Sequence, residues 1–163
     1  MRWIVMVLAL MCAGVAVAEE MVVPPFAAVI PGDHKAGVVV MDYQDPAPKP
    51  KFGKPEEGHK LIAVKIGIGN GEEGETPVNP MFVELQCADF AVRNAALMGA
   101  PKPELGATKL KKAEDKVVGW VAFEIPVELK AAECKLAYGV MEKSDWIPLS
   151  AAMEKQPKKD APK

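Results

Sequence analysis

The chain has 163 residues, with 20 basic against 22 acidic side chains and a formal net charge of −2. That length suits one domain with a modest core, and the near-neutral balance excludes nucleic acid as a partner, because phosphate binding depends on concentrated positive charge. The one long apolar run lies at the extreme N-terminus, which excludes a multi-span membrane protein.

Residues 1–18 have the layout of a secretion signal. Arg2 supplies the positive start, Trp3 to Met11 the apolar stretch, and Ala16-Val17-Ala18 the small residues of a cleavage site before Glu19. The apolar stretch is shorter than the ~20 residues of a spanning helix. The protein is therefore expected to be exported, periplasmic or secreted, with no transmembrane segment after cleavage. Glu19-Glu20 and the Pro-rich chain that follows argue against a retained anchor, and the bulky Met11 argues against lipid attachment at Cys12.

Residues 19–35 read as an extended N-terminal segment punctuated by Pro24, Pro25 and Pro31. Ala36 to Tyr43 reads as a strand whose inward face the pattern leaves unclear. Pro46, Pro48, Pro50 and Pro55 crowd the next connection. Leu61 to Ile68 is the clearest strand, with Ile62, Val64, Ile66 and Ile68 forming one β-branched face. Asn70-Gly71 then opens a polar loop. Phe82 to Cys87 alternates, with Val83, Leu85 and Cys87 on one side. Val117 to Ile125 turns Val121, Phe123 and Ile125 one way and Trp120 and Glu124 the other.

Two stretches stay open. Asp89 to Leu97 fits a short helix with Asp89 as its cap and Gly99 beyond its end. Glu128 to Tyr138 is rich in helix formers, yet Cys134, Leu136, Tyr138 and Val140 keep period two. The domain is taken as residues 36–150, and residues 151–163 as a flexible Lys/Pro-rich tail that lacks the apolar surface to offset ordering. Cys87 and Cys134 remain after cleavage. An even count in an exported chain favours a disulfide, stabilising by ~4 kcal/mol in the chain-entropy model, against two separate buried thiols.

Three blocks carry a family resemblance: Gly58-His-Lys-Leu-Ile-Ala-Val-Lys-Ile-Gly-Ile-Gly-Asn70, Gly119-Trp-Val-Ala-Phe-Glu-Ile-Pro126 and Leu136-Ala-Tyr138. In order and spacing, over residues 36 to about 140, they resemble a bacterial extracytoplasmic domain family of uncharacterised function. That family has a telokin-like, immunoglobulin-like sandwich and belongs to the group that includes the secreted mycobacterial immunoprotective antigen. The resemblance implies an all-β, immunoglobulin-like antiparallel sandwich of about seven strands. It also implies that Cys134 to Val140 is strand, that Asp89 to Leu97 is an edge strand, and that no catalytic residues are assigned. One departure is Lys111-Lys112-Ala113-Glu114-Asp115, where the family turns through Pro-Gly.

Chemistry-bearing patterns are scarce. His34 and His59 have no metal-ligand spacing, and Met21, Met41, Met81, Met98, Met141 and Met153 lack the histidine company of a copper site, so core filling is expected of them. Glu72, Glu73 and Glu75 offer at most weak calcium ligation. Ser144, Ser150, Thr76 and Thr108 lack a nucleophile elbow. The expectation is a non-enzymatic, cofactor-free binding module that meets an unknown protein or envelope partner through an outward apolar patch at Val118 and Trp120. The competing expectation is that Asp145 to Met153 folds back over Trp120 and covers it, since monomeric proteins rarely leave large apolar patches open. The alternative is a periplasmic copper- or calcium-handling protein using His34 or His59.

Overall fold

The computed structural model describes residues 28–32, 36–49, 54–93 and 99–152. The secretion signal, Cys12, His34, Met21, Met98, Met153 and most of the tail lie outside the described residues. The described chain is an all-β sandwich. One sheet joins β1 (Ala28–Ile30), β2 (Ala36–Gln44), β3 (His59–Asn70) and β8 (Lys116–Pro126) in the order β1-β2-β3-β8. The other has β5 (Val83–Cys87), β6 (Phe90–Arg93), β9 (Cys134–Tyr138) and β10 (Ile147–Pro148) in the order β10-β9-β5-β6. A small antiparallel pair, β4 (Thr76–Val78) with β7 (Thr108–Leu110), stands beside them. Among the described residues no helix is long and apolar enough to cross a membrane.

Among the described residues the strand count is ten rather than about seven. The four shortest strands, β1, β4, β7 and β10, are two or three residues long. Segments that short cannot display a period, so only their pairing reveals them. β1 falls within the segment read as an extended entry and pairs with β2 through Ala28↔Val38 and Ile30↔Ala36.

The core follows from alternation in the long strands. Ile62, Val64, Ile66 and Ile68 face inward from β3 and are completely buried, beside Val121, Phe123 and Ile125 of β8. Val83, Leu85 and Cys87 meet them from β5, and Cys134, Leu136 and Tyr138 from β9. Burial of each such large aliphatic side chain is worth roughly 1.5–3 kcal/mol. The unclear inward face of β2 has a physical cause. A bulge between Val40 and Asp42 inserts Met41, so Val38 and Val40 point inward before it and Tyr43, paired with Val64, points inward after it. A bulge resets the two-residue period, and no single parity describes the strand.

The second ambiguous stretch and the described part of the first resolve against an α-helix; residues 94–97 lie outside the described residues. Phe90–Arg93 is a strand at the sheet edge beside β5. Ala131–Glu133 forms one 3₁₀ turn, whose Ala131 N–H donates to Asp45 Oδ2, and Cys134 starts β9. Strand pairing with β5 supplies what the helix-forming composition of Glu128 to Glu133 could not override.

Cys87 and Cys134 sit directly opposite each other in β5 and β9 and are bonded, with Cα atoms 4.2 Å apart and a sequence separation of 47. The bridge lies within one sheet, on its inner face. The Lys111–Asp115 turn, where Pro-Gly was missing, is held by the Asp115 carboxylate, which accepts the Lys111 and Lys112 N–H groups at 2.9 Å each. Those two bonds hold the carboxyl below its ordinary range.

Candidate functional site

Trp120 does not form an exposed patch. It is 7% exposed and packs with Ala47, Leu61, Ala63 and Ala100 on the outer face of the first sheet. A strap at residues 103–105 runs along the free edge of β8: Trp120 N–H donates to the Pro103 carbonyl and Leu105 N–H donates to the Trp120 carbonyl, both at 2.9 Å. Gly119 permits this approach, since a Cβ there would lie 2.5 Å from Leu105 N and 2.6 Å from its Cα. Val118 is half-buried. Ile147 and Leu149, the apolar neighbours of Trp146, are buried in the main core, and the Lys135 ammonium sits 5.1 Å from the Trp146 ring.

The apolar surface lies elsewhere. A groove of about 730 Å³ opens at the Asn70 end of the sandwich, between Ile30 and Pro31 on one side and Tyr138 to Glu142 on the other, with Thr76, Pro77 and Phe82 between them. A smaller recess of about 240 Å³ adjoins it and shares Phe82, Gly139 and Val140. The rim of the larger groove carries Met141, 94% exposed, and Val140, 60% exposed; Met81, 53% exposed, lines the recess. Core filling therefore describes Met41, which is buried, but not Met81 or Met141. Val140 does not continue β9 as its period implied: the strand ends at Tyr138 and the chain turns at Gly139.

Each wall is fixed from the backbone up. Ser144 N–H donates to the Tyr138 carbonyl, and Tyr138 N–H donates to Ser144 Oγ, which closes the root of the 139–143 loop. Lys143 pairs with Glu84 at the same root. Gly139 N–H donates to the Phe82 carbonyl, and a Cβ on Gly139 would lie 2.0 Å from the Glu142 carbonyl oxygen. The exposure of Val140 and Met141 thus belongs to a loop anchored at both ends.

On the opposite wall Asn70 organises the turn. It is 2% exposed, its Nδ2 donates to the Gly74 carbonyl at 2.7 Å, and its Oδ1 accepts from Thr76 Oγ1. Its backbone N–H donates to the Asp115 carbonyl, which joins the β3–β4 and β7–β8 loops.

Polar groups around the groove are engaged in structure. The buried Tyr138 hydroxyl donates to the Pro77 carbonyl at 3.1 Å and accepts from Asn79 N–H at 3.0 Å. Burial pushes its pKa up to about 12 despite the Asn79 bond. Its ring packs edge-on to Phe82, with centroids 6.1 Å apart. Glu75 pairs with Lys109 at 2.5 Å, and this hydrogen bond and charge hold its carboxyl below the ordinary range. Glu142 is exposed. Ser144 and Thr76, two of the hydroxyls without a nucleophile elbow, serve as structural donors.

His59 opens β3 at the far end of the strand from the groove, beside Glu56 and Glu124. Sequence reasoning missed the groove because its residues come from five separate segments. The one available signal was Gly139-Val140-Met141, an apolar pair just after a glycine and before Glu142-Lys143.

No family model matches the chain, and no curated protein matches it. Two solved structures from Bacillus subtilis are similar. One is the ycdA protein, a proposed lipoprotein, at TM-score 0.50 and 18% identity over 77% of this chain; the chain spans only 37% of that protein. The other is the yjhA protein, at TM-score 0.46 and 16% identity, covering 68% of this chain and 79% of that one. The likeness to the first is one of fold: a bacterial all-β domain.

Proposed function

We propose that this protein is an exported, non-enzymatic binding module, whose groove beside Tyr138 takes an apolar protein segment with a basic flank, presented by an envelope or secreted partner. The observation that carries the reading is the exposure of Met141, Val140 and Met81 on walls held rigid by hydrogen bonds. Monomeric proteins seldom leave apolar side chains clustered in water without a use, and thioethers adapt to varied apolar partners. Glu142, exposed beside the groove, complements a basic flank. The engaged hydroxyls of Thr76 and Tyr138 support a non-enzymatic role. Export is supported by the N-terminal layout and by a disulfide, a bond that persists in oxidising compartments.

Selection of displayed random peptides on the oxidised chain beginning at Glu19 tests this reading. Apolar peptides flanked by Lys or Arg should be enriched, and Val140→Lys and Met141→Lys should each weaken their binding at least about tenfold. Val127→Lys, exposed just past the end of β8 and far from the groove, should leave binding unchanged. No enrichment, or binding lost in Val127→Lys and retained in Met141→Lys, would overturn it.

A further inference from the structure

Three metal-ligating side chains converge at the end of the sandwich opposite the groove. Glu56, His59 and Glu124 each offer a ligand atom, and these atoms all lie within 4.8 Å of one another. The convergence follows from strand geometry. His59 pairs with Pro126 and Leu61 with Glu124, so His59 and Glu124 are diagonal neighbours on the outer face of one antiparallel pair. Glu56 is brought in by the turn before β3: His59 N–H donates to the Glu56 carbonyl at 3.0 Å, and Glu56 N–H donates to Glu124 Oε1 at 2.5 Å.

We infer that Glu56, His59 and Glu124 form a divalent transition-metal site, best suited to Zn²⁺. Two carboxylates and a neutral imidazole give a donor set of charge −2, a match for a borderline divalent cation, with a fourth position left open. Ligand atoms at about 2.1 Å from zinc in a tetrahedron stand about 3.4 Å apart, so the side chains need to close by at most about 1.4 Å through small torsional adjustments. His59 Nδ1 lies 3.3 Å from the Glu57 carbonyl oxygen. A ring held by its Nδ1–H keeps the Nε2 lone pair for a metal, the arrangement that orients zinc-bound histidines. Lys60, next in sequence, projects to the other face of β3 by alternation, and its ammonium is engaged by Asp45 at 2.8 Å. It therefore does not neutralise the two carboxylates.

The donors also separate this site from the copper-handling alternative. The exposed methionines Met81 and Met141 stand at the other end of the sandwich, so among the described residues His59 has carboxylate company in Glu56 and Glu124.

The site is tested by calorimetric titration of ZnCl₂ into the oxidised chain beginning at Glu19, with histidine ring signals followed by NMR. Micromolar or tighter binding of one equivalent is expected, with the His59 ring signals shifting. His59→Ala and Glu124→Gln should each weaken binding at least about tenfold, while circular dichroism stays that of the parent, and CaCl₂ should bind far more weakly. His34→Ala should leave zinc affinity unchanged. Absence of submillimolar zinc binding, or zinc binding that survives His59→Ala and is lost in His34→Ala, would overturn the assignment. Peptide binding at the groove is read separately, so either conclusion can fail alone.

Discussion

Tyr138 carries more of the molecule than its size implies. Its ring closes the core while its hydroxyl spans 61 residues of sequence to the Pro77 carbonyl and takes a bond from Asn79. Removing the hydroxyl in Tyr138→Phe leaves the Asn79 N–H and the Pro77 carbonyl without that partner, at a cost of about 1–3 kcal/mol in urea unfolding at neutral pH. The raised pKa gives the residue an alkaline signature. The folded state holds the phenolic proton more firmly than the unfolded chain, so this contribution is intact below the ordinary value of 10 and is lost as pH rises towards about 12. The parent should lose about 1.4 kcal/mol per pH unit in that window, and Tyr138→Phe should lack this loss. Parallel alkaline profiles for the two proteins would contradict the assignment. Gly119 is a second such position. In Gly119→Ala the new methyl meets Leu105 backbone, which cannot rotate away, so the strap must lift. Unfolding should become easier by about 1–3 kcal/mol, with tryptophan emission shifted to the red as Trp120 meets water.

Among the elements, legibility tracked length. β3, β5 and β8 were readable because each repeats a two-residue period against one continuous core. β2 showed its strand character but hid its inward face, since the Met41 bulge changes parity midway. The stretch before β9 was opaque because helix-forming composition and period two coexist there, and only pairing with β5 decides between them. β1, β4, β7 and β10 exist through partners rather than through any pattern of their own. Trp120 was legible as outward-facing and in need of cover, but the cover itself was not: it comes from Ala100 and a connection whose path no periodicity encodes, while Ile147 and Leu149 join the main core instead. The Cys87–Cys134 bridge ties two strands that already pair. Reduction should lower stability by about 2–4 kcal/mol while the β-rich circular dichroism spectrum persists in the absence of denaturant. The native, unreduced protein should titrate no free thiol at these positions; two reactive thiols would contradict the bridge.

At the scale of the whole molecule, β3 separates two chemically distinct ends. Its eleven residue steps at about 3.3 Å put roughly 36 Å between them, with the apolar groove near Asn70 and the Glu56–His59–Glu124 cluster at His59. The groove could not be read in the sequence because Ile30, Pro77, Phe82, Tyr138 and Met141 converge only after both sheets close. The most direct test is a methyl-NMR titration of ¹³C-methionine-labelled, oxidised protein with an apolar peptide flanked by lysines. The account predicts that the Met81 and Met141 methyl signals shift with saturable binding while the buried Met41 signal stays in place. Saturable binding that leaves both groove signals unmoved, or no binding at all, would contradict it.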